Sequence, residues 1–261
     1  MKICTIASSS SGNCTLVTAG GTSLLIDAGI SMRRTVAALK YAGVDPGKLA
    51  AVLVTHEHSD HISGIPMLTK HLRVPVYMSH GTAEGVRKAY PRSDIDIREF
   101  SAGDGFEAGG LQVRSFATPH DTPESVGFRL TDGTVSFVLA TDTGYLSETL
   151  LAAAKGADAA VIEANHDLNM LRYGMYPAYL KRRIMADTGH MSNKICGIFA
   201  QELVKSGAKR IILGHLSKEN NTPQLAYSAV SQALEDIGTD VGNDVMLTVA
   251  PRCEMSGIYT I

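Results

Sequence analysis

Residues 50–61 read AAVLVTHEHSDH, an apolar run that passes directly into a cluster of metal-binding side chains. The apolar part predicts a buried strand over Val52–Val54, with a turn from Thr55 onward. The polar part is an H-x-H-x-D-H motif, whose imidazole and carboxylate groups suit zinc, manganese or iron. A solvated polar loop is the alternative, but this spacing is a specific motif rather than an effect of composition. The four ligands are His56, His58, Asp60 and His61.

The local geometry of the motif indicates two neighbouring ions. Ligands in a turn can converge, because the chain folds back and directs alternate side chains inward. On a straight strand, His56 and His58 could share one ion, whereas Asp60 and His61 would face opposite sides. The motif therefore needs further ligands from elsewhere in the chain.

Three more candidate ligands follow other apolar, strand-like runs. His120 follows residues 113–117, Asp142 follows residues 135–140, and His215 follows residues 210–214. Ligands at the ends of successive buried strands gather along one edge of a sheet. We therefore expect two ligand sets joined by Asp142, because a carboxylate has two oxygens. The first set is His56, His58 and His120, and the second is Asp60, His61 and His215.

These residues resemble the five signature motifs of the metallo-β-lactamase superfamily, from the N-terminus to about Leu216. The resemblance implies a four-layer αββα sandwich of the α/β class. The interval from Asp142 to His215 is too short for the β-CASP insertion that one branch of related nucleases carries. Further segments resemble the YycJ/WalJ family: ASSSSGN at 7–13, PHD at 119–121, ESVGF at 124–128, TDTGYL at 141–146, EANHD at 163–167, GHMSN at 189–193 and HLSKENN at 215–221. That resemblance implies a cytosolic, metal-dependent 5′-to-3′ exonuclease on DNA with a role in DNA repair.

Length and composition agree with one domain spanning residues 1–261. The chain has 44% hydrophobic and 19% charged residues, enough for a large core. No apolar run approaches the length of a membrane span, and the N-terminus turns polar too soon for a signal peptide. The four cysteines lack C-x-x-C spacing, so we expect reduced thiols in a cytoplasmic protein; Cys4 and Cys14 would be near each other if the first two strands pair. The oligomeric state is left open.

The formal net charge of −2 argues against a simple nucleic-acid binder. One local exception is residues 172–183, RYGMYPAYLKRR, which combine three tyrosines with four cations. Tyrosines can stack on splayed bases while cations hold phosphates. The alternative is a helix over 177–186 with a solvated basic end. The position between two candidate active-site motifs favours substrate contact, which we expect from Arg172, Lys181, Arg182 and Arg183.

Candidate catalytic groups lie beside the ligand motifs. His190 and Glu163 resemble a histidine and an acidic residue near the metals of RNase Z and related phosphodiesterases. A histidine with an acidic orienter could protonate a leaving oxygen or hold the scissile phosphate. Asp60 is expected to act as a ligand rather than as a base, and Asp121 as a turn residue or an orienter of His120.

Two further segments are candidate substrate contacts. His166 could hold phosphate, support a ligand or only pack. The Ser-rich loop at residues 8–13 is either a simple hairpin turn or a phosphate-binding loop that includes Ser10 and Asn13. The position of the superfamily's first loop favours the substrate role.

The expected mechanism uses a hydroxide that bridges two divalent ions, zinc or manganese, and attacks phosphorus in line. The expected substrate is DNA, with no membrane partner. One alternative is hydrolysis of a small phosphodiester or thioester on the same scaffold. A second is a non-hydrolytic metal sensor, which is disfavoured because all seven ligand positions are filled.

The predicted elements follow two repeats of strands and helices. The predicted strands cover residues 2–6, 15–18, 23–27, 52–54, 74–78, 95–100, 111–116, 126–130, 135–140, 158–162, 211–213, 246–249 and 258–261. The predicted helices cover residues 31–42, 62–70, 147–154, 177–186, 192–206 and 222–237.

Overall fold

The computed structural model describes all 261 residues and contains two seven-stranded sheets. The first sheet combines the N-terminal strands with the last strand of the chain, in the order β14-β1-β2-β3-β4-β5-β6. Its antiparallel half gives way to parallel pairing from β3 to β6. Its strands are β1 (Lys2–Ser9), β2 (Gly12–Ala19), β3 (Thr22–Ile26), β4 (Ala51–Leu53), β5 (Val76–Ser79), β6 (Ile97–Phe100) and β14 (Tyr259–Thr260).

The second sheet has the order β13-β12-β11-β10-β9-β8-β7. Strands β7 to β10 are antiparallel neighbours, and β10 to β13 are parallel. Its strands are β7 (Gly105–Ala108), β8 (Leu111–Ala117), β9 (Val126–Thr131), β10 (Ser136–Ala140), β11 (Ala159–Glu163), β12 (Arg210–Gly214) and β13 (Met246–Val249).

The helices begin where the sequence offers capping side chains. Ser31, Ser192 and Thr222 each accept a hydrogen bond from a backbone N–H in the first turn of the helix that follows. The helices are α1 (Met32–Tyr41), α2 (Ser59–Ile62), α3 (Ile65–Leu72), α4 (His80–Ala89), α5 (Glu148–Ala154), α6 (Leu168–Tyr173), α7 (Ala178–Ile184), α8 (Asn193–Lys205) and α9 (Pro223–Glu235), with a short 3₁₀ turn at Pro46–Lys48. None of them combines the length and apolar character needed to cross a bilayer.

Three apolar clusters define four layers. One lies between the sheets and includes Leu24, Phe128 and Phe137. A second joins α1, α3 and α4 to the first sheet, and a third joins α5, α8 and α9 to the second sheet. Burial of these clusters removes apolar surface from water on both faces of each sheet, which is the main favourable contribution to folding. The αββα sandwich is confirmed, and the interval between Asp142 and His215 holds no additional domain.

The structure differs from the sequence-based elements in a few places. The helix predicted over residues 62–70 is divided into α2 and α3 near Gly64, whose N–H donates to the carbonyl of Ala28 at 2.8 Å. A side chain there would lie 2.0 Å from the carbonyl oxygen of Ile30, so only glycine permits this approach. Strand β7 and helices α4 and α6 have weak local signals and were not predicted. Cys4 and Cys14 are buried free thiols, whereas Cys253 is exposed.

Candidate metal centre and active site

Most polar side chains of the site come after parallel strands, whereas His120 follows the antiparallel strand β8. Because β3 and β4 run in parallel, as do β10, β11 and β12, their carboxyl ends meet at corresponding edges of the two sheets. Three residues after these strand ends have positive φ values: Asp27 (60°), Asp142 (55°) and His215 (54°). Such backbone strain costs about 1–3 kcal/mol and clusters at functional sites, where the surrounding structure maintains it. Two of these strained residues, Asp142 and His215, are candidate ligands, whereas the remaining non-glycine residue with positive φ, Arg73, ends helix α3.

The structure brings the seven predicted ligands together. Within each of several clusters, the possible ligand atoms all lie within 4.8 Å of one another. The two rings of His58 and His120 approach closely, with Nδ1 of His58 3.3 Å from Nε2 of His120. The clusters are His56, His58 and His120; Asp60, His61 and His215; His56, His61 and Asp142; and Asp142, Glu163, His190 and His215. Asp142 thus lies between the two sets, as a shared ligand must.

Unpaired atoms inside the clusters test whether a metal fits. Nε2 of His56, Oδ2 of Asp142 and Nε2 of His215 are buried and have no hydrogen-bond partner. Buried polar atoms are almost always paired, so three orphans in one place need an explanation. Coordination to divalent cations would satisfy all three, and imidazole with carboxylate is a suitable donor set. The residues present therefore fit divalent metal ions.

Asp27 fixes the ring of His61. Its Oδ2 lies 2.8 Å from Nδ1 of His61, and its Oδ1 accepts from the backbone N–H of Thr55 at 2.9 Å. An ionised carboxylate only accepts hydrogen bonds, so Nδ1 of His61 carries the proton and Nε2 faces the cluster. Asn13 acts on the neighbouring ligand, because its Nδ2 donates to Oδ2 of Asp60 at 3.2 Å. Partners of this kind orient metal ligands and raise their basicity.

Glu163 holds two histidines with one oxygen. Its Oε1 accepts from Nδ1 of His190 at 2.8 Å and from Nδ1 of His215 at 2.9 Å. Its Oε2 accepts from the backbone N–H groups of Thr143 at 3.1 Å and Met191 at 3.0 Å. The carboxylate is fully buried, yet both of its oxygens are paired. Both imidazoles therefore present Nε2, that of His215 to the ligand cluster and that of His190 to the cavity beside it.

Asp121 links the first ligand set to α7. Its Oδ1 lies 3.4 Å from Nε2 of His120 and 3.6 Å from Nε2 of His58. Its Oδ2 accepts from Nε of Arg183 at 2.7 Å. Asp121, which was predicted as a turn residue or an orienter of His120, thus contacts both histidines. It also neutralises part of the charge of Arg183.

The clusters open into a cavity of about 350 Å³. Side chains of the candidate ligands form its polar side, and another side is formed by Tyr176, Leu180, Arg183 and Ile184. Of the predicted substrate contacts, Ser10 and Arg183 line this cavity. His190 also lines it, with 22% of its side chain exposed.

The other predicted substrate contacts lie elsewhere. Lys181 donates from Nζ to the carbonyls of Arg172 at 2.9 Å and Gly174 at 2.7 Å, so it connects α7 to the end of α6. Arg172 and Arg182 are exposed outside the cavity lining. Asn13 is buried and is occupied with Ser9 and Asp60. His166 is buried behind the site, and its Nδ1 has no partner.

The two ligand sets differ in proton affinity when no metal is bound. Burial, reinforced by the neighbouring histidines, lowers the pKa of His56 well below its usual value. Burial alone would also lower the pKa of His61 and His215, but adjacent carboxylates outweigh it. Asp27 and Asp142 raise the pKa of His61, and Asp142 with Asp60 and Glu163 raises that of His215 to about 10. The first set is thus ready to bind a cation, whereas the second holds protons that a cation must displace.

Two supporting residues were missed from sequence. Asp27 follows the apolar run Leu24–Ile26, so the pattern that identified Asp142 could have identified it. Arg252 gave no such signal, since it lies after β13 in an irregular segment. Its guanidinium donates to the carbonyls of Ser217 and Asn221 in the loop that follows His215. Its own carbonyl accepts from the N–H of Ser8, whose Oγ accepts from the N–H of His215 at 2.8 Å.

This fold and this site define a metal-dependent hydrolase, and comparison with known proteins agrees. Residues 22–216 match the family model described as beta-lactamase superfamily domain. The structure of the metallo-β-lactamase fold protein YhfI from Bacillus subtilis superimposes with a TM-score of 0.74 over 98% of both chains, at 20% identity.

Proteins that are similar in sequence identify the family within this superfamily. The chain is 39% identical to exodeoxyribonuclease YycJ of Bacillus anthracis over 91% of its own length and 90% of the relative's. It is 35% identical to exodeoxyribonuclease WalJ of Streptococcus pneumoniae serotype 2 over 93% and 91% of the two lengths. The chain therefore belongs to the YycJ/WalJ family of the metallo-β-lactamase superfamily.

Proposed function

We propose that this protein is a phosphodiesterase that degrades DNA from the 5′ end and acts in DNA repair. The observation that carries the proposal is one cavity in which two ligand clusters, His190 and Arg183 come together. Two divalent ions, zinc or manganese, are proposed for the clusters. When bound, they would neutralise phosphate oxygens and activate water as a nucleophile. The names of the YycJ and WalJ relatives support DNA as the substrate.

His190 is proposed to transfer a proton at the scissile phosphate. Nδ1 donates to Glu163, which leaves Nε2 free in the cavity. Burial alone would lower the pKa of His190, but the Glu163 carboxylate raises it. The protonated imidazole can therefore donate from Nε2 to a phosphate oxygen or to the leaving oxygen. A positioned donor of this kind contributes about 10²–10⁴-fold to rate.

Arg183 is proposed to bind a phosphate of the strand. Asp121 occupies only its Nε, and the two terminal nitrogens have no partner within the protein. The guanidinium has five N–H donors, so it can hold Asp121 and a phosphate together. Because 61% of this side chain is exposed, a phosphate can reach it from solvent.

A small phosphodiester is the second candidate substrate. Two observations favour it: the net charge of −2 and a cavity of only about 350 Å³. Both also fit an enzyme that admits one end of a strand and leaves the rest outside. A small thioester has less support, because it has no phosphate oxygen to bind the terminal nitrogens of Arg183, which have no partner within the protein.

The test is a substrate panel with protein reconstituted separately with Zn²⁺ and Mn²⁺. The panel contains 5′-labelled double-stranded DNA, single-stranded DNA, RNA and bis-p-nitrophenyl phosphate. The proposal expects early release of the 5′ label from DNA. Hydrolysis of the small diester without degradation of DNA would favour the second candidate. Release beginning at the 3′ end would contradict the proposed polarity.

Arg183→Ala tests the phosphate contact. The variant should weaken DNA binding and reduce the magnitude of the slope of log affinity against log salt by about 1, because one counterion release is lost. Arg92→Ala is the matched control, since Arg92 is exposed and lies outside the cavity. An equal effect of both variants would mean that Arg183 acts only through general charge. Cells that lack the protein should be more sensitive to DNA-damaging agents if the repair role is correct.

A further inference from the structure

The cavity has an apolar side that the phosphodiesterase chemistry does not use. Tyr176, Leu180 and Ile184 line it together with the metal-binding residues. None of the three belongs to the apolar clusters that hold the four layers together. Their spacing of four residues places Leu180 and Ile184 on one face of α7, with Tyr176 just before the helix. This face is defined here as the α7 wall; Ile184 is buried at its end, whereas Tyr176 and Leu180 are half-buried and offer apolar surface outside the three clusters.

The α7 wall is held in place by contacts from the middle and the end of α7. From the middle of α7, Lys181 donates to two carbonyls at the end of α6. At its end, the backbone N–H of His190 donates to the carbonyl of Ile184 at 3.0 Å. Gly144 lies so close that a side chain there would be 2.1 Å from the carbonyl of Asp187. Since a binding surface gains affinity when it is ordered beforehand, these contacts favour a specific ligand over incidental exposure.

The chemistry of the two sides defines the ligand. The metal clusters, His190 and Arg183 suit a phosphodiester, whereas the α7 wall suits a flat or apolar group attached to it. A cavity of about 350 Å³ is at the lower end of the range for small-ligand sites, about 300–1,000 Å³. It therefore has room for a ligand of the size of one nucleotide.

We propose that the α7 wall binds the base of the terminal nucleotide, which is stacked on Tyr176 while its phosphodiester lies at the metal clusters. This inference rests on the proposed exonuclease function and specifies how that site accepts a strand end. The wall presents only one polar group to the base, the hydroxyl of Tyr176. Base–aromatic stacking is sequence-tolerant, because every base has a π-face. The protein should therefore remove terminal nucleotides without a strong preference for any one base.

A further consequence is a preference for unpaired ends. A base on the α7 wall cannot remain stacked in a duplex, and taking it out has an unfavourable free energy of a few kcal/mol. This energy is smallest for an end that is already single-stranded or mismatched. Blunt ends closed by G·C pairs should consequently react more slowly than frayed ends of the same length.

The test is a double-mutant cycle between Tyr176 and the terminal base, measured on single-stranded oligonucleotides with the metal-loaded protein. One oligonucleotide has an ordinary 5′-terminal nucleotide, and the other has an abasic residue there. For the wild type, removal of the base should lower kcat/KM by about 5–150-fold, the usual value of one stacked base. Tyr176→Ala should show little discrimination, and Tyr176→Phe should restore it because the ring remains.

Two other variants test whether the base binds inside the cavity or on an outer surface. Tyr227→Ala removes a half-exposed ring from α9, outside the cavity, and should leave the discrimination unchanged. Tyr179→Ala removes a ring from α7 that is 68% exposed and does not line the cavity. Loss of discrimination in Tyr179→Ala but not in Tyr176→Ala would overturn the proposal in favour of an outer surface.

The outcomes also separate this inference from the proposed function. Metal content and circular dichroism of each variant report whether the fold and the clusters are intact. If the wild type degrades DNA but treats the abasic and ordinary ends alike, the subsite is wrong and the exonuclease function stands. If the wild type degrades no DNA, the proposed function itself is wrong.

Discussion

Replacing Glu163 with glutamine tests the reasoning about the site most directly. The carboxylate accepts two imidazole N–H groups through Oε1 and two backbone N–H groups through Oε2. Glutamine has nearly the same shape, and its oxygen can keep the backbone pair. Its amide nitrogen would then face Nδ1 of both His190 and His215. A donor facing a donor is repulsive, so each ring must lose its hydrogen bond or move its proton to Nε2.

The magnitude follows from these contacts. A proton on Nε2 of His215 blocks a ligand atom, so the affinity for the second ion should fall by about 10–100-fold, the usual effect of losing such an orienting partner. Turnover should fall further, because His190 is no longer held for proton transfer. Its pKa should also fall, since the Glu163 carboxylate is what raises it. An acid is active only below its pKa, so the alkaline limb of the pH–rate profile should move to lower pH.

Glutamine is preferable to alanine for this experiment. Alanine would leave two buried backbone N–H groups bare, with a loss of about 1–3 kcal/mol each. That is a large part of a typical total stability of about 5–15 kcal/mol. Glu124→Gln is a control for the loss of a carboxylate away from the histidines, because each Glu124 oxygen accepts one backbone N–H group and neither accepts from a histidine.

The assay is competition with a chelating indicator for each ion, followed by pH–rate profiles on bis-p-nitrophenyl phosphate. The Glu124 variant should bind both ions as the wild type does. If Glu163→Gln does the same and keeps an unchanged profile, the inference that Glu163 sets the tautomers of both rings is refuted.

Three further predictions concern the same site. His190→Ala should lower turnover by about 10²–10⁴-fold at nearly normal metal content; loss of an ion instead would make His190 a ligand, as its cluster with Asp142 permits. Because carboxylates raise the pKa of His61 and His215, the second ion should displace protons from both, so its affinity should rise with pH more steeply than that of the first. Calorimetry in two buffers of different ionisation enthalpy counts these protons, and equal release for both ions would contradict the assigned protonation. Arg252→Ala should weaken binding of the second ion and leave binding of the first unchanged, because Arg252 joins the loops on the side of His215. Arg34→Ala is its control, because it breaks only a contact to the carbonyl of Cys253. An equal loss of both ions in Arg252→Ala would mean a general structural effect.

The amino-acid sequence was sufficient to predict the seven candidate ligands that the structure brings together, whereas the four layers followed from the family resemblance. The candidate ligands lie in the segments that come after apolar runs, and parallel strands place their carboxyl ends at one edge. The alternation and length of the apolar runs likewise predicted most strands of both sheets. These are local properties, so they can be found without knowledge of the tertiary contacts.

Local signals were least informative where the chain is basic and aromatic. The sequence offers no reason to assign different roles to the four cations of residues 172–183, but the structure places them in different surroundings. Arg183 lines the cavity and pairs with Asp121, whereas Lys181 is bound to carbonyls at the end of α6. Helical spacing predicts α7 but not which of its faces meets the cavity, since that depends on how α7 packs against distant segments.

The sequence by itself determined which groups are candidate metal ligands and that they come after strands, because side-chain chemistry and apolar periodicity are properties of the chain itself. Only the tertiary structure decided what holds those groups in place. Asp27 contacts His61, which is 34 positions away in sequence. Glu163 contacts two histidines, the nearer of which is 27 positions away. Arg252 contacts the loop after His215 across 31 or more positions. Such pairings depend on how the two sheets and their loops pack, and no local pattern encodes a partner so distant in sequence.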